Sequence, residues 1–376
     1  MQYLLHYRGL KECEIMTHSL IVRGAPQEYV CQDGAWATLP EHLIKRNLHK
    51  LLFIHGTRSL KAATKYLPDL TSFDLVNVHY GGECCDEKVA ELRTRFVQEN
   101  CEAILAVGGG KIADLAKQIG HQLQVPVLIL PTLAATCAAY TPLSVMYNQD
   151  GSMDRYDIFP EAIALTLIEP SVLLESPIDY MIAGIGDTLA KWYEGDAIIH
   201  QLATVPVEVQ VAHFAAKKCQ ENLLAYGTKA IDAMKKGELT TEFITVVETN
   251  ILLAGMVGGF GDEYGRTAAA HSIHDALTIL PQSHHQLHGN KVAYGILVQL
   301  MLEHNPTEIK ALLPFYQKMN LPMSLHDMDM VLTQKEYQAV AKRATIAEES
   351  IHLLAEEMTA EKVITAMQEL ETMMQA

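Results

Sequence analysis

Five histidines lie within eighteen residues of the stretch HSIHDALTILPQSHHQLHG, which begins at residue 271. Neutral imidazole is a common ligand of zinc and related divalent metals in proteins. The chain holds 17 histidines in 376 residues, so the clustering alone does not establish a metal site. Such a site also needs a ligand from elsewhere in the chain and something for the metal to act on.

A carboxylate that would complete the site lies in AGIGDTLAKWYEGDA, which places Asp187 near the start of a predicted helix. His271 and His288 fall on two further predicted helices, on either side of the loop LPQSHHQ. One carboxylate and two imidazoles suit Zn²⁺ or Fe²⁺, and three protein ligands with an open fourth position are typical of a catalytic metal. Spacing alone does not select these two histidines, because His274 shares a helix face with His271. The other two histidines lie in a loop predicted to be exposed to solvent.

The elements that would position these groups form two halves with different hydrophobic periodicity. In the first half short apolar runs alternate with amphipathic segments, and KLLFIHG, FDLVNVHYGG, EAILAVGGG and VPVLILPT are predicted strands. This alternation predicts a Rossmann-like parallel sheet with crossover helices. After about residue 160 the apolar residues lie three and four apart, which predicts helices. We therefore predict an α/β domain over residues 1–163, an all-helical domain over 164–376, and a site in the cleft between them.

The stretch AILAVGGGKIADLAK puts Gly108, Gly109 and Gly110 between a predicted strand and a predicted helix. Without Cβ atoms the backbone can approach a bound group, and the N–H groups of a helix start suit a pyrophosphate. The spacing matches neither GxGxxG nor the P-loop, and a plain tight turn is an equal alternative. The hydroxyl-rich segment 131–151, predicted to be a loop, would follow the next strand at the same edge of the sheet. Both loops would then contact the same ligand.

The composition limits the partners and the compartment. A formal net charge of −16, from 29 Lys+Arg and 45 Asp+Glu, disfavours nucleic acid and anionic lipid as partners. No apolar run reaches the ~20 residues that span a bilayer, and the first residues lack the pattern of a secretory signal. Seven cysteines without CxxC spacing predict reduced thiols in a cytoplasmic protein. Residues before about 19 match no motif, and Met16 is a candidate for the original start.

Six ordered motifs resemble the glycerol dehydrogenase-like branch of the iron-containing alcohol dehydrogenase family. They are VGGGKxxDxxK, PTxAxT, LSVxY, AGIGDxLAxWxE, AAAHxIH and HGxKVAxG. Within this branch the chain is most similar to the hydroxycarboxylate dehydrogenase group, through ATCAAYTPLSV, GIGDTLAKWYE, AGMVGG and HGNKVAYGILVQ. The resemblance implies an N-terminal nucleotide-binding α/β domain followed by an all-helical metal-binding domain, an architecture shared with dehydroquinate synthase.

By this resemblance Asp187, His271 and His288 bind Zn²⁺ or Fe²⁺, and His274 lines the pocket. Other branches carry a further histidine four residues after the aspartate. Lys191 stands at that position here, which implies a three-ligand site. The implied reaction moves a hydride between a nicotinamide ring and a carbinol or carbonyl carbon, while the metal binds the substrate oxygen.

The resemblance also implies a set of cofactor-binding residues around the pyrophosphate, the nicotinamide and the adenine ribose. They are Gly108, Gly109, Gly110, Lys111, Asp114, Thr132, Ser144, Tyr147, Thr57 and Arg58. The acid that normally binds the ribose 2′-OH is missing after LLFIHG, and Arg58 would pair with a 2′-phosphate there. NADP is therefore favoured over NAD, the alternative being that Arg58 simply faces water.

Three departures from the glycerol dehydrogenase pattern predict an anionic substrate. In those enzymes an aspartate of PTxAxTD contacts the polyol, and Cys137 stands in its place. Lys191 and Arg266 occupy positions that are usually uncharged, and both side chains suit a carboxylate. We therefore predict a 2-oxo or 2-hydroxy acid as substrate. Structural ion pairs with Glu194 or Asp262 remain the alternative for these two cations.

Three other functions stay open at this point. The first is a glycerol or 1,2-diol dehydrogenase that uses NAD. The second is a metal- and NAD-dependent cyclase like dehydroquinate synthase, which would need glutamate in place of Asp187. The third is a non-catalytic binding protein, because function belongs to sites rather than folds. For the predicted acid dehydrogenase and for both alternative enzymes the expected partner is a small-molecule substrate, and the chain is expected to form a homo-oligomer.

Overall fold

A computed structural model describes residues 20–375, so the segment around Met16 lies outside the described residues. The strands are β1 (Tyr29–Cys31), β2 (Lys50–His55), β3 (Asp74–His79), β4 (Ala103–Gly108), β5 (Val127–Pro131), β6 (Leu143–Tyr147), β7 (Met153–Ile158) and β8 (Leu165–Ile168). The helices of the first half are α1 (Leu39–Lys45), α2 (Thr57–Ala63), α3 (Asp86–Gln98) and α4 (Gly110–Leu123). The four predicted strands are present as β2, β3, β4 and β5.

Six strands form one parallel sheet in the order β1-β8-β5-β4-β2-β3. Successive residues of a strand point to opposite faces, so Leu52 and Ile54 enter one hydrophobic core and Leu51 and Phe53 the other. Helices cover both faces, which is why these strands are almost continuously apolar. The predicted fold class, a parallel-sheet α/β domain followed by a helical domain, is confirmed.

Two details differ from the sequence prediction. The expected boundary between residues 163 and 164 falls before β8, which pairs with β1 and β5 inside the sheet. β8 has four buried residues, and so short an apolar run cannot be told from a helix segment by periodicity. We therefore propose a division after Ile168. The segment 131–151 is also not all loop, because β6 pairs with β7 in an antiparallel hairpin.

The second half is helical, as predicted. Its helices are α5 (Pro170–Leu174), α6 (Ile178–Ile199), α7 (Val207–Lys236), α8 (Thr241–Glu248), α9 (Ala254–Gly261), α10 (Ala269–Leu277), α11 (His288–Leu302), α12 (Pro306–Met319), α13 (Gln334–Ala344) and α14 (Ala360–Gln375). The backbones of α6 and α11 touch, because a Cβ atom on Gly289 would collide with the carbonyl of Ala183 and one on Gly186 would meet the carbonyl of Gly289. This close approach sets Asp187 beside the start of α11.

One stretch departs from the expectation that no segment is apolar enough to span a bilayer. Residues Thr241–Tyr264 pass that test by length and composition, but 61% of their most apolar window is buried inside the protein. Burial of this extent is typical of a core helix. Within the stretch a π-helical turn, Thr249–Leu253, lets Asn250 donate a hydrogen bond to the carbonyl of Ala134 at 2.9 Å. The turn therefore ties this core helix to the loop after β5.

Candidate metal and nucleotide site

The three predicted metal ligands converge. Asp187 lies in the middle of α6 rather than near its start, while His271 and His288 lie in the first turns of α10 and α11. The Nε2 atoms of His271 and His288 are 3.3 and 3.4 Å from Oδ1 of Asp187. Ligand atoms of a tetrahedral zinc ion are about 3.3–3.4 Å apart when each bond is about 2.0–2.1 Å. The donor set and its spacing thus fit a divalent metal.

A second cluster of the same residue types provides a contrast. Within residues 20–375, Asp196, His200 and His213 also bring three ligand atoms within 4.8 Å of one another. Their nitrogen-to-oxygen distances are 2.7 and 2.9 Å, which are hydrogen-bond lengths, and the His200 side chain is 69% exposed. Hydrogen bonds of ordinary length account for this cluster, whereas the longer spacing around Asp187 also fits the ligands of a tetrahedral metal ion.

Glu194 orients the imidazole of His271, a role that the sequence alone did not predict. Its Oε2 atom lies 2.6 Å from Nδ1 of His271, and Oε1 accepts hydrogen bonds from the backbone N–H groups of Ala268 and His271 at 2.7 and 2.9 Å. With Nδ1 held in this way, Nε2 points toward the centre of the site. The available signal was the spacing, since Glu194 lies seven residues, or two helical turns, after Asp187.

The charges of this buried group favour a bound cation. Burial alone would lower the pKa of His271, but the charge of Glu194 and hydrogen bonds to Asp187 and Glu194 raise it to about 9. Burial opposes ionisation of Asp187, yet the two histidines hold the pKa of its carboxyl well below the usual range. His271 therefore carries a second proton when no metal is bound, and a divalent ion would take the place of that proton.

Replacing Glu194 with glutamine is expected to weaken binding of Zn²⁺ or Co²⁺ by about 10- to 100-fold, the usual effect of losing a partner of a metal-binding histidine. The physical reason is that an amide orients Nδ1 of His271 less strongly than a carboxylate does. Competition with a chromophoric chelator measures the affinity. Glu303→Gln is the matched control, because Glu303 accepts from Gln299 and contacts none of the three ligands. Equal affinities for the two variants would contradict the assigned role of Glu194.

His274 lies beside the ligands rather than among them. Its side chain is buried, its Nδ1 is 2.8 Å from Oδ1 of Asp275, and its ring meets that of His288 edge to face at 4.1 Å. It therefore supports His288 sterically, at the wall of the site. His284 and His285 are exposed in the connecting loop, as the sequence predicts.

The glycine loop lies at the carboxyl end of β4, and Gly110 opens α4. None of the three glycines has a positive φ, so close packing rather than a left-handed backbone requires them. A Cβ atom on Gly109 would meet Leu133, and one on Gly110 would lie 3.0 Å from the Thr136 hydroxyl. The N–H of buried Thr132 donates to the carbonyl of Gly108 at 3.0 Å. The glycine loop and the loop after β5, which are predicted to bind one ligand, are thus in direct contact, and the start of α4 lies between them.

Two predicted cofactor residues, Asp114 and Ser144, also stabilise the fold. Asp114 is buried and pairs with Lys117 at 2.8 Å, and Lys117 in turn donates to the carbonyls of Ala138, Thr141 and Leu143. The hydroxyl of Ser144 is fully buried and donates to the backbone carbonyl of Asp114 at 2.8 Å. Asp114 and Ser144 therefore hold the hairpin against α4, and their contact with the cofactor stays a prediction.

Lys111 and Tyr147 do lie together near the glycine loop. The ammonium of Lys111 is 2.6 and 2.5 Å from the two carboxylate oxygens of Glu83, and 4.9 Å from the centre of the Tyr147 ring. Glu83 therefore neutralises most of the charge that the sequence assigns to phosphate binding.

Thr57 and Arg58 occupy the first turn of α2, at the carboxyl end of β2, and both are exposed. The hydroxyl of Thr57 lies 3.2 Å from Nε2 of His79, which ends β3. Arg58 has no hydrogen bond or ion pair with any other residue in the described range. Its guanidinium is thus available at the sheet edge that carries the glycine loop.

The predicted substrate residues divide into two groups. Lys191 is buried, and its ammonium donates to the carbonyl of Arg266 at 3.0 Å. Burial alone would lower the pKa of Lys191, but the charge of Asp187 and the nearby Cys137 raise it, so the ammonium stays protonated. Arg266 instead forms an ion pair with Asp262 at 2.8 Å, the alternative that the sequence left open. Lys191 and the partly buried Cys137 therefore remain next to the metal ligands, while the guanidinium of Arg266 is already held.

Comparison with known proteins gives one family. The family model for iron-containing alcohol dehydrogenase matches residues 26–168. Hydroxycarboxylate dehydrogenase A from Escherichia coli is 36% identical over 351 residues, which cover 92% of this chain and 96% of that protein. Glycerol dehydrogenase from Thermotoga maritima is 34% identical over 305 residues, covering 79% of this chain and 82% of that protein.

The fold agrees with these similarities. The crystal structure of a probable glycerol dehydrogenase from Sinorhizobium meliloti 1021 superposes with a TM-score of 0.85 at 28% sequence identity. The match covers 95% of this chain and 99% of that one. The likeness therefore extends over both the sheet and the helical half.

Proposed function

Because the chain belongs to the iron-containing alcohol dehydrogenase family, we propose that it interconverts a small 2-oxo acid and the corresponding 2-hydroxy acid. The family consists of oxidoreductases that bind a divalent metal and NAD(P). In the reducing direction a hydride passes from the dihydronicotinamide to the carbonyl carbon and a proton from solvent reaches the oxygen, which leaves a 2-hydroxy acid and NAD(P)⁺. Asp187, His271 and His288 would hold the metal, whose chemistry is to withdraw charge from the substrate oxygen.

The buried ammonium of Lys191 is the main support for an acidic substrate. It lies close enough to Asp187 and Cys137 for their charges to interact, and its one hydrogen bond leaves donors unused. Asp187 and Glu194 contribute two negative charges and Lys191 one positive charge. A divalent ion would make the sum +1, which favours a carboxylate over a neutral polyol.

We propose NADP rather than NAD as the preferred nucleotide, on the evidence of Arg58. This unpaired guanidinium stands at the end of β2, where no aspartate or glutamate follows the strand to bind a 2′-hydroxyl. A 2′-phosphate would therefore meet a cation and no repelling carboxylate.

A matched pair of substrates tests the function directly. We expect kcat/KM for 2-oxobutyrate with NADPH to exceed that for butanal by at least about tenfold, equivalent to ~1.4 kcal/mol of transition-state binding. Activity should disappear on treatment with a chelator and return with Zn²⁺ or Fe²⁺. The same assay with NADH measures the nucleotide preference. Equal rates with the acid and the aldehyde would refute an acid-specific pocket.

A glycerol or 1,2-diol dehydrogenase using NAD is the second candidate. It is favoured by the glycerol dehydrogenases among the relatives, one of which, from Citrobacter freundii, is 35% identical over 313 residues. Oxidation of glycerol with NAD⁺ at a higher kcat/KM than that of 2-hydroxybutyrate would select this function.

A further inference from the structure

Tyr156 lies on the β6–β7 hairpin of the nucleotide-binding half and reaches across to the helical half. Successive residues of a strand point to opposite faces, so along β7 Arg155 and Asp157 share the face opposite Tyr156. Arg155 donates two hydrogen bonds to Asp86, at the start of α3, at 2.8 and 3.0 Å, and Asp157 accepts one from Gln118 of α4 at 3.1 Å. The strand is therefore fixed to the nucleotide-binding half on both sides of Tyr156.

On the helical side the partner of Tyr156 is Asp275, a buried carboxylate of α10. The Tyr156 hydroxyl lies 3.3 Å from Oδ2 of Asp275, and Nδ1 of His274 lies 2.8 Å from Oδ1. A carboxylate only accepts hydrogen bonds, so both groups donate to it. Asp275 is 3% exposed, and a buried carboxylate oxygen that loses its donor is costly. The hydroxyl of Tyr156 therefore helps to fix Asp275, and Asp275 fixes the ring of His274.

The ring of His274 in turn supports the most exposed of the three metal ligands. The rings of His274 and His288 meet edge to face, with 4.1 Å between their centres. The side chain of His288 is 31% exposed, whereas those of Asp187 and His271 are each 7% exposed. Glu194 orients His271, but within residues 20–375 Nδ1 of His288 has no hydrogen-bond partner. The orientation of the His288 ring therefore depends on its packing against His274.

We propose that Tyr156 is a positioning residue for the metal ligand His288, which it holds in orientation through Asp275 and His274. The assignment rests on the proposed function, since it requires a metal at the three ligands. Partners of this kind orient metal-binding side chains without touching the metal themselves. Because Tyr156 belongs to the nucleotide-binding half, His288 keeps its ligand orientation only while the hairpin is docked on α10. A side chain from the nucleotide-binding half thus completes a metal site whose ligands all lie in the helical half.

Tyr156→Phe tests this assignment, because it removes the hydroxyl and keeps the ring. We expect the variant to bind Co²⁺ about fivefold more weakly than the wild type, equivalent to ~1 kcal/mol, in competition with a chromophoric chelator. Tyr156 is 38% exposed, so the fold should tolerate the change. Tyr66→Phe is the matched control and should match the wild type. Tyr66 also donates to a carboxylate of the helical half, that of Glu175 at 2.8 Å, but contacts none of the three ligands.

A double-mutant cycle with Asp275→Asn separates positioning from a general loss of stability. Asparagine has one acceptor oxygen instead of two, so it cannot accept from both the Tyr156 hydroxyl and His274 as the carboxylate does. If Tyr156 acts through Asp275, adding Tyr156→Phe to Asp275→Asn should weaken Co²⁺ binding by less than about twofold further. Independent effects would instead multiply, by another factor of about five. If Asp275→Asn does not fold, His274→Phe, which lacks Nδ1, takes its place in the cycle.

The possible outcomes separate this assignment from the proposed function. Weaker Co²⁺ binding in Tyr156→Phe that disappears in the Asp275→Asn background would confirm the role of Tyr156. Unchanged Co²⁺ affinity in Tyr156→Phe, equal losses in Tyr156→Phe and Tyr66→Phe, or multiplied losses in the cycle would each overturn it. Failure of the wild type to bind Co²⁺ and Zn²⁺ would instead refute the metal centre and with it the proposed function.

Discussion

Asp187→Asn is expected to remove the bound metal and to lower kcat/KM for the preferred substrate by at least about 10³-fold, or ~4 kcal/mol. Asp187 is the only anionic ligand of the three, and both imidazole Nε2 atoms lie within 3.4 Å of its Oδ1 atom. An amide at this position keeps the shape but loses the charge that attracts the cation. Metal content by mass spectrometry and steady-state kinetics measure the two effects.

Asp196→Asn is the matched control for this experiment. Asp196 lies on the same helix, nine residues later, and its carboxylate also faces two imidazoles, those of His200 and His213. Those contacts are hydrogen bonds, so this variant should keep both the metal and the activity of the wild type. Retention of metal and turnover by Asp187→Asn, or equal losses in the two variants, would contradict a catalytic metal centre at Asp187.

The sheet was predictable because its strands are short, apolar and flanked by glycine or proline, features that depend on local sequence alone. The convergence of Asp187, His271 and His288 was not predictable from spacing, since they come from three helices whose packing depends on glycine contacts such as Gly186 against Gly289. Resemblance supplied the ligand set, and the structure then brought the three side chains together. Neither the residue spacing nor the resemblance identified Glu194 as the partner of His271, because its role depends on the rotation of α6.

Residue types alone did not show which charged side chains are free to bind a substrate. Lys191 and Arg266 were both predicted to be substrate cations, but Asp262 lies four residues before Arg266 in the chain and forms an ion pair with its guanidinium. The structural alternative for Lys191, an ion pair with Glu194, does not occur among the described contacts, since its ammonium donates to a backbone carbonyl.

Substitution of Cys137 is expected to produce the largest change in substrate preference. We predict that Cys137→Asp lowers kcat/KM for 2-oxobutyrate by about 100-fold and changes that for butanal by less than about threefold. Two unit charges about 5 Å apart repel by about 3 kcal/mol at an effective dielectric constant of about 20. A carboxylate at this position would therefore repel an acidic substrate and would also pair with Lys191, whose charge already acts on Cys137.

Cys137→Asn separates charge from shape, because asparagine has the size of aspartate without its charge. The asparagine variant should keep kcat/KM for 2-oxobutyrate within about fivefold of the wild type, a difference of ~1 kcal/mol. Equal losses in both variants would mean that the loop after β5 tolerates no larger side chain and that Cys137 does not select by charge. An unaffected 2-oxobutyrate rate in Cys137→Asp would place the substrate carboxylate away from both Cys137 and Lys191. Cys137→Asp and Cys137→Asn differ in charge but not in size, so comparing them tests whether the pocket selects an acidic substrate.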